Sequence, residues 1–381
     1  MNHVLFDGMA TQSSNRAAFH GGGEYAKFML KAAIEQGNEF DVVMGEWLHT
    51  DPAIVQLLKD NKQIPVFHIT KRKELYQLIE EHKYKKFYSA LPAYYTDYSG
   101  TAQLIGVIHG LRAAELPWDF YRYKYEPKWY NRLVGWIISH SSKVQAILKK
   151  KHISDTGKLL AIKNANFITV SYHSKNSLLA FYPNLKTNDI KVYYSPFSVN
   201  KIENVQPKQD YFLMVSANRY EKNIYRAVKV FDKLFSDGRL QGKRVVITGC
   251  GNQPFWKEIR NKDRFDLKKY VSSEELDTLF MKAFCFVYPS LNEGFGYPPM
   301  QAMAYGTPVI ASSATSIPEV CDDAASFFSP TNEDDLASRI LRIDGDCEYR
   351  TTLISRGLER VAFIQQNQTR KIEEELKLIF E

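Results

Sequence analysis

A glycine-rich turn between an apolar run and a proline-led helix start is the part of the sequence best suited to chemistry. Residues 287–290 end the apolar run, residues 293–296 (Glu-Gly-Phe-Gly) form the turn, and Pro298 and Pro299 favour a helical first turn immediately afterwards. A helix start presents backbone N–H groups and a partial positive charge to the preceding turn. The pattern therefore predicts an anion site that suits a diphosphate.

A second apolar run, at residues 212–216, ends in a basic turn. This turn contains Arg219 and Lys222, and a helical pattern begins at Ile224. Fixed cations at such a place can stabilise the negative charge that develops on a leaving diphosphate. Taken alone, a pair of solvated surface charges is the simpler interpretation of these two residues.

Together the two segments resemble the nucleotide-binding region of retaining, GT-B type glycosyltransferases of family 4 (glycosyl transferases group 1). That family has two glutamates separated by seven residues; Glu293 matches the first, and Gln301 stands in the place of the second. The resemblance implies that Glu293 lies beside the donor sugar and diphosphate. It also implies that Arg219 and Lys222 bind the diphosphate and that Gln301 reaches the ribose, with a weaker hydrogen bond than a carboxylate would make.

The same resemblance extends to two glycine-containing turns of this half. Gly294, Phe295 and Gly296 follow the glutamate and are expected to border the bound nucleotide. The run 244–251 ends in a turn in which Gly249 either contacts the nucleotide or only provides a positive φ, and the two interpretations are equally good.

The first half of the chain matches the family less specifically. Gly22 and Gly23 open a helix, and glycines there let backbone N–H groups approach a phosphate or sugar; a flexible loop is the alternative. His109 follows a strand and resembles the histidine that contacts the transferred sugar in many relatives. An aspartate often follows that histidine, whereas here Gly110 does. Without the resemblance, a histidine at a strand end is more often structural.

Apolar strand-like runs alternate with helical periodicity through both halves, which predicts parallel sheets covered by helices on two faces. We expect an α/β protein of GT-B type with two doubly wound, Rossmann-like domains facing a central cleft. The predicted parts are an N-terminal acceptor-binding domain at 1–198, a linker at 199–210, a C-terminal nucleotide-sugar-binding domain at 211–365, and a helix at 366–381. The resemblance implies that this last helix crosses back to the N-terminal domain.

Ten strands are predicted from apolar runs bounded by turn residues. They lie near 4–6, 41–44, 65–69, 86–89, 104–108, 167–170, 211–216, 244–248, 283–288 and 307–311.

Composition limits the class of protein. With 381 residues, 44% apolar and 24% charged, the chain predicts an ordered protein of two domains. The net charge of +7 favours anionic substrates or a membrane surface, and no nucleic-acid motif accompanies it. No leader precedes the first apolar run, and no apolar run approaches about 18 residues. We therefore expect a cytoplasmic location, either free or peripheral on the inner face of the membrane.

Metal binding is not expected. The four cysteines lack metal-ligand spacing and predict neither a zinc site nor a disulfide. Residues 344–346 (Asp-Gly-Asp) look like the metal-binding motif of the other major transferase fold, but their late position behind a helical pattern favours a solvated turn. The resembled fold works without a bound metal, so the only expected small partner besides the acceptor is the nucleotide-diphosphate sugar, a co-substrate.

Residues 117–152 are rich in tryptophan, tyrosine, lysine and arginine. One interpretation is peripheral contact with a membrane that carries a lipid-linked acceptor. A second is stacking of aromatic rings on acceptor sugars, and the simplest is a helical excursion whose aromatics pack on the core.

The resemblance implies a retaining transfer from a nucleotide-diphosphate-sugar to a saccharide or lipid-linked acceptor, in bacterial surface polysaccharide or glycoconjugate synthesis. The departures at Gln301 and Gly110 keep an alternative open, a catalytically silent GT-B subunit that binds nucleotide or serves as a scaffold. The retained Glu293, Arg219 and Lys222 argue for the enzyme.

Overall fold

A computed structural model describes residues 3–13, 21–116, 118–197 and 207–381. The chain divides into two compact units. The N-terminal unit comprises the described parts of Met1–Leu111, Lys151–Phe197 and Asn367–Glu381, and the C-terminal unit comprises those of Arg112–Lys150 and Ser198–Gln366.

The N-terminal unit contains a seven-stranded parallel sheet with the order β3-β2-β1-β4-β5-β6-β7. Its strands are β1 (Val4–Asp7), β2 (Asp41–Gly45), β3 (Val66–Ile69), β4 (Lys86–Ser89), β5 (Gln103–Ile108), β6 (Ala165–Thr169) and β7 (Ile190–Val192). The order reverses between β1 and β4, which pair directly, with Leu5 opposite Phe87. The helices of this unit are α1 (Gly21–Glu35), α2 (Pro52–Asp60), α3 (Glu74–Glu81) and α7 (Tyr172–Phe181).

The C-terminal unit contains a six-stranded parallel sheet with the order β10-β9-β8-β11-β12-β13. Its strands are β8 (Tyr211–Met214), β9 (Arg244–Ile247), β10 (Phe265–Leu267), β11 (Cys285–Tyr288), β12 (Val309–Ser312) and β13 (Ala325–Phe328). Here the order reverses between β8 and β11, which pair directly. Each unit is thus a doubly wound sheet, and the predicted α/β fold class is confirmed.

Seven helices among the described residues lie wholly within the C-terminal unit. They are α4 (Arg112–Glu115), α5 (Trp129–Ser139), α8 (Ile224–Ser236), α9 (Ser273–Lys282), α10 (Tyr297–Ala304), α11 (Ile317–Cys321) and α12 (Glu333–Gly345). The side chain of Ser272 accepts a hydrogen bond from the backbone N–H of Glu275 and caps α9. Two further helices, α6 (Ser142–Leu160) and α13 (Cys347–Phe380), have residues in both units.

All ten predicted strands are present, with ends that differ by a few residues. The three strands that the sequence patterns did not predict are β7, β10 and β13. Each is the outermost strand at one side of its sheet. Edge strands are short and pair on one side only, so they carry a weaker apolar signal than central strands.

The division into units differs from the predicted boundary at 198 in one respect. Residues Arg112–Lys150 group with the C-terminal unit, although they lie in the first half of the chain. The link is made by specific contacts: the Arg226 guanidinium donates to the Asp119 carboxylate at 2.9 Å, and Lys124 pairs with Glu258 at 2.8 Å. Most of the predicted linker falls in 198–206, outside the described residues.

The C-terminal helix is longer than predicted. It was expected at 366–381, whereas α13 is continuous from Cys347 to Phe380, and its part from Asn367 onward belongs to the N-terminal unit. Gly357 does not interrupt it. A β-carbon at that position would lie 3.1 Å from the Cγ of Met303, so the glycine permits close packing of α13 on α10.

Candidate functional site

The strand order of the C-terminal unit brings its predicted site residues together. The chain passes from β8 into the turn that contains Arg219 and Lys222, and from β11 into the turn that contains Glu293. Because β8 and β11 are parallel neighbours, both turns lie at the same edge of the sheet. The order of strands reverses between these two, and ligands of doubly wound sheets bind at such a position.

Lys222 and Glu293 form a buried ion pair. The ammonium nitrogen of Lys222 lies 2.6 Å from a carboxylate oxygen of Glu293, and their side chains are only 7% and 15% exposed. Lys222 also donates to the hydroxyl of Tyr288 at 3.0 Å. An ammonium has three N–H donors, so these two bonds leave one for a ligand.

The pair shifts the pKa of both groups. Burial alone would raise the pKa of Glu293, but the charge of Lys222 and its hydrogen bond outweigh burial and hold that pKa below its ordinary value. Burial lowers the pKa of Lys222, which Glu293 opposes and the charge of nearby Arg219 reinforces. The carboxylate of Glu293 is therefore ionised at neutral pH and held against a cation.

A second buried carboxylate, Glu221, lies between two arginines. One oxygen of Glu221 accepts from Arg219 at 2.7 Å and from Arg112 at 2.7 Å. Glu221 is 6% exposed, whereas both arginines are more than a third exposed. Burial would raise the pKa of Glu221, but the two guanidinium charges lower it overall. Each arginine thus keeps part of its donor edge accessible to a ligand.

Hydrogen bonds fix the turn after β11. The hydroxyl of Ser316 donates to the carbonyls of Glu293 and Phe295, each at 3.0 Å, and the hydroxyl of Thr315 accepts from the Glu293 N–H at 2.9 Å. Gly296 has φ +108° at the start of α10, a conformation that favours glycine. The predicted order of strand, glycine turn and helix is confirmed. Pro298 carries no N–H, so fewer donors face the turn than in an ordinary first helical turn.

Two predicted nucleotide contacts have a defined position but an untested role. Gly249 has φ +72°, and a β-carbon there would lie 2.9 Å from the Cα of Ser216, so the turn after β9 needs glycine to pass the turn after β8. Backbone geometry alone therefore accounts for a glycine at position 249. Gln301 lies half-buried in α10. Contacts of Gly249, Gly294 and Gln301 with a nucleotide stay predictions.

In the N-terminal unit the predicted residues Gly22 and His109 are neighbours. A β-carbon at Gly22 would lie 3.4 Å from Nε2 of His109, and this ring nitrogen is 2.9 Å from the carbonyl oxygen of Ala90. Gly23 follows in the buried face of α1. Gly110 has φ +131°, a conformation strained for an aspartate, so local backbone geometry accounts for the departure from the family pattern.

The same unit buries Asp7 and Glu375, which accept hydrogen bonds from hydroxyl groups. Asp7 accepts from Ser89 at 2.6 Å and from Tyr95 at 2.9 Å, and burial raises its pKa to about 6. Glu375 of α13 accepts from Tyr25 at 2.6 Å, and burial raises its pKa to about 7. Unlike Glu293, neither forms an ion pair among the described residues.

Sequence reasoning missed three residues of the charged cluster: Glu221, Arg112 and Tyr288. Glu221 lies between the two predicted cations, and an acidic residue in a basic turn is a usable signal. Arg112 is 109 residues away from Glu221 in the chain, so no local pattern could connect them. Tyr288 was treated as the end of a strand, which it is.

No group of three His, Cys, Asp or Glu side chains in the described part of the chain is arranged to hold a metal ion. Asp344 of the 344–346 motif lies in the last turn of α12, and its carboxylate oxygen Oδ1 is 4.0 Å from the Nζ of Lys243. It therefore lies in a helix end and not in the solvated turn that the sequence suggested.

Comparisons with known proteins agree with this geometry. The family model described as glycosyl transferases group 1 matches residues 198–360. The O-antigen chain mannosyltransferase RfbU of Salmonella typhimurium is 36% identical over 46% of this chain and 50% of its own length. The O-antigen chain mannosyltransferase B of Escherichia coli is 32% identical over 39% of this chain and 41% of its own length. The chain thus spans half of the length of the first relative and less than half of the length of the second.

Solved structures resemble the whole chain. Sucrose-phosphate synthase from Thermosynechococcus elongatus superposes with a TM-score of 0.70 at 15% identity, covering 98% of this chain and 97% of that one. WaaG, a glycosyltransferase involved in lipopolysaccharide biosynthesis, gives a TM-score of 0.66 at 10% identity and covers 99% of each chain. Anabaena Alr3699/HepE in complex with UDP-glucose gives a TM-score of 0.64 at 16% identity, covering 98% of this chain and 99% of that one.

At these identities the structures establish the fold alone, and the family model and the sequence relatives each match less than half of the chain. The chain has a GT-B fold, and its residues 198–360 match the glycosyl transferases group 1 family.

Proposed function

We propose that the protein transfers a sugar, with mannose as the first candidate, from a nucleotide-diphosphate donor to a saccharide or lipid-linked acceptor. We place this reaction in bacterial surface polysaccharide or glycoconjugate synthesis, with retention of the anomeric configuration. The observation that carries the proposal is the charged cluster at the edge of the C-terminal sheet where the strand order reverses.

The cluster has a net positive charge. It contains the cations Arg112, Arg219 and Lys222 and the carboxylates Glu221 and Glu293, which is three positive charges against two negative. An unbalanced cation next to a sheet edge attracts a diphosphate. This electrostatic attraction is stronger where water is excluded, because the local dielectric constant is lower. A cluster that served only to stabilise the fold would need no excess charge.

The residues of this cluster have different parts in the reaction. Arg219 is accessible and presents a planar donor edge that suits two phosphate oxygens. Lys222 is held in place by Glu293 and Tyr288 and directs its remaining N–H toward the leaving phosphate. As the bond to the sugar breaks, the diphosphate gains charge, and these preorganised cations stabilise it without reorganising. The departing phosphate helps to deprotonate the acceptor, so no protein base is assigned.

The donor sugar is inferred from the relatives. RfbU of S. typhimurium and mannosyltransferase B of E. coli are both named as O-antigen chain mannosyltransferases. The HepE complexes with UDP and UDP-glucose support a nucleotide-sugar donor in this fold. Arginine and lysine side chains supply the charge that a metal ion would otherwise bring, so we propose that the reaction requires no metal. The donor-sugar contact of His109 and those of Gly22 and Gly23 stay predictions.

The test combines binding and turnover. UDP, GDP, ADP and CMP, with mannose conjugates of the first two, are screened for an increase in melting temperature, since a ligand that binds only the folded state stabilises it. The native chain is compared with Arg219→Ala. A matched control is Arg356→Ala, because Arg356 is an exposed arginine of the same unit that pairs with Asp323.

We expect one nucleotide to stabilise the native chain and the control, with affinity about tenfold to a hundredfold lower in Arg219→Ala. Release of that nucleotide from its mannose conjugate in the presence of acceptor, with the product anomer assigned by NMR, tests transfer and retention. Stabilisation without any turnover would favour the silent subunit. Equal affinity in all three proteins would refute the assignment of the cluster.

A further inference from the structure

Helix α5 exposes its apolar face to solvent, whereas an ordinary surface helix buries that face. Its buried residues are the small ones, Gly135 and Ser139. Its large apolar residues face outward, with exposed fractions from 46% to 71%. They are Trp129, Tyr130, Leu133, Val134, Trp136 and Ile137. A surface helix normally buries its apolar stripe against the core, so this outward face is an apolar surface without a partner among the described residues.

The orientation of α5 is fixed by close packing. A β-carbon at Gly135 would lie 3.0 Å from the Cβ of Tyr123, so no larger side chain fits there without movement. The hydroxyl of Ser139 accepts from the indole N–H of Trp118 at 2.7 Å. The inward face is therefore built for contact with residues 118–123, and the helix cannot rotate to bury its apolar residues without losing these contacts.

Residues 118–126 in turn are anchored in the C-terminal unit. The hydroxyl of Tyr125 accepts from the backbone N–H of Tyr225 at 2.9 Å, and its ring packs edge-on against Phe255 at 5.1 Å. The guanidinium of Arg122 lies 4.5 Å from the ring centroid of Tyr220, which directly precedes Glu221 and Lys222 in the chain. The apolar face of α5 is thus rigidly connected to the unit that holds the charged cluster.

The stretch of chain that runs through α5 into α6 carries charge of one sign. From residue 127 to 150 the chain contains five lysines and arginines and no aspartate or glutamate. Lys128 and Arg132 lie on or beside α5, and Lys143, Lys149 and Lys150 lie on α6. Basic side chains next to outward tryptophans suit the headgroup layer of an anionic bilayer, where indole rings sit at the interface.

We propose that the outward face of α5 docks on the surface of an anionic lipid bilayer, with the helix lying in the plane of the interface. An 11-residue helix is about 16 Å long, well short of the roughly 30 Å hydrocarbon core. None of the helices in the described ranges combines the length and the apolar character needed to cross a membrane. The aromatics of α5 do not pack on the core, whereas Tyr125 does, so the simplest interpretation of 117–152 holds for only part of the segment. The proposal is independent of the donor chemistry.

The test is vesicle flotation of the full chain. Vesicles of phosphatidylcholine alone are compared with vesicles of phosphatidylcholine and phosphatidylglycerol in equal parts, at low and high salt. The variant is Leu133→Glu with Trp136→Glu, whose native side chains are 52% and 47% exposed. The matched control is Leu358→Glu with Tyr270→Glu, at 45% and 69% exposure in the same unit. Circular dichroism and nucleotide binding establish that both variants remain folded.

We expect the native chain and the control to float with the anionic vesicles, and partitioning to fall at least tenfold in the α5 variant and at high salt. No flotation of the native chain, or equal flotation of variant and control, would overturn the proposal. Sedimentation of the native chain as a dimer that Leu133→Glu with Trp136→Glu converts to a monomer would also overturn it, because a second copy would then cover this face. Loss of nucleotide turnover alone would leave it intact.

Discussion

Two buried carboxyl groups of one unit behave in the opposite way to two of the other. In the C-terminal unit, Glu293 and Glu221 are each held within 2.7 Å of a cation and their pKa values are lowered. In the N-terminal unit, Asp7 and Glu375 are bound by hydroxyls, and burial raises the pKa of the first to about 6 and of the second to about 7. Glu293 and Glu221 are therefore kept charged, whereas Asp7 and Glu375 are driven toward the neutral form.

Under the proposed function, the charged pairs serve a ligand and the acids bound by hydroxyls serve packing. Burying ions costs desolvation free energy that a well-formed pair only partly offsets, so an ion-paired cluster is weak evidence for stability. A neutral acid that accepts from tyrosine hydroxyls costs less and still fixes a helix, as Glu375 does for α13 against Tyr25. The C-terminal unit retains the costly arrangement at the position where a diphosphate would bind.

The largest effect is expected from removing the cation of the Glu293 pair. Lys222→Met leaves Glu293 buried without its paired cation, which should lower the free energy of unfolding by about 3 to 5 kcal/mol at neutral pH. Urea unfolding followed by circular dichroism measures this loss.

The control for this prediction is the double variant Lys222→Met with Glu293→Gln. It removes both charges, so it should recover most of the stability while binding of a nucleotide stays lost. Equal stability of the single and the double variant would show that the buried charge of Glu293 is not what destabilises the protein.

In the N-terminal unit, ionisation of a buried acid is expected to lower stability. Because the pKa of Glu375 is raised from 4.5 to about 7, the folded state binds a proton that the unfolded state releases. Its contribution is fully present below about pH 4.5 and falls by about 3 kcal/mol as the pH rises through about 7. Glu375→Gln should remove this loss, so that the variant matches or exceeds the native chain at about pH 8.

Glu374→Gln is the matched control, one residue away on the same helix. Glu374 pairs with Lys371 at the surface, so its replacement should change the free energy of unfolding by less than about 1 kcal/mol at either pH. Urea unfolding across this pH range distinguishes the variants. An unchanged pH dependence in Glu375→Gln would mean that Glu375 is already ionised in the folded state.

The smallest effect concerns the shared partner of the two arginines. Arg112→Ala and Arg219→Ala should each cost about 1 kcal/mol or less, because the other arginine still neutralises Glu221. The double variant leaves Glu221 unpaired and should lose about 1 kcal/mol more than the sum. Arg112→Ala combined with Arg356→Ala, which shares no carboxylate with it, should be additive. If the losses of Arg112→Ala and Arg219→Ala simply add in the double variant, the bridging role of Glu221 is refuted.

Much of the fold could be predicted from local patterns. Apolar runs of three to six residues marked every central strand of both sheets, and only the edge strands β7, β10 and β13 were missed. The prediction that residues 112–150 belong to the N-terminal domain shows the limit of this reasoning. Those residues belong with the C-terminal unit through pairs such as Arg226 with Asp119, which are 107 residues apart.

The sequence by itself determined the fold class and the turns that contain Arg219, Lys222 and Glu293, because periodicity, glycines and prolines act over a few neighbouring residues. Only the tertiary structure decided that Glu221 bridges Arg112 and Arg219, since that requires two distant segments to meet. It also decided that α5 turns Gly135 inward and its tryptophans outward. A helical pattern shows that an apolar stripe exists, but the neighbours that pack against the helix determine which side is buried.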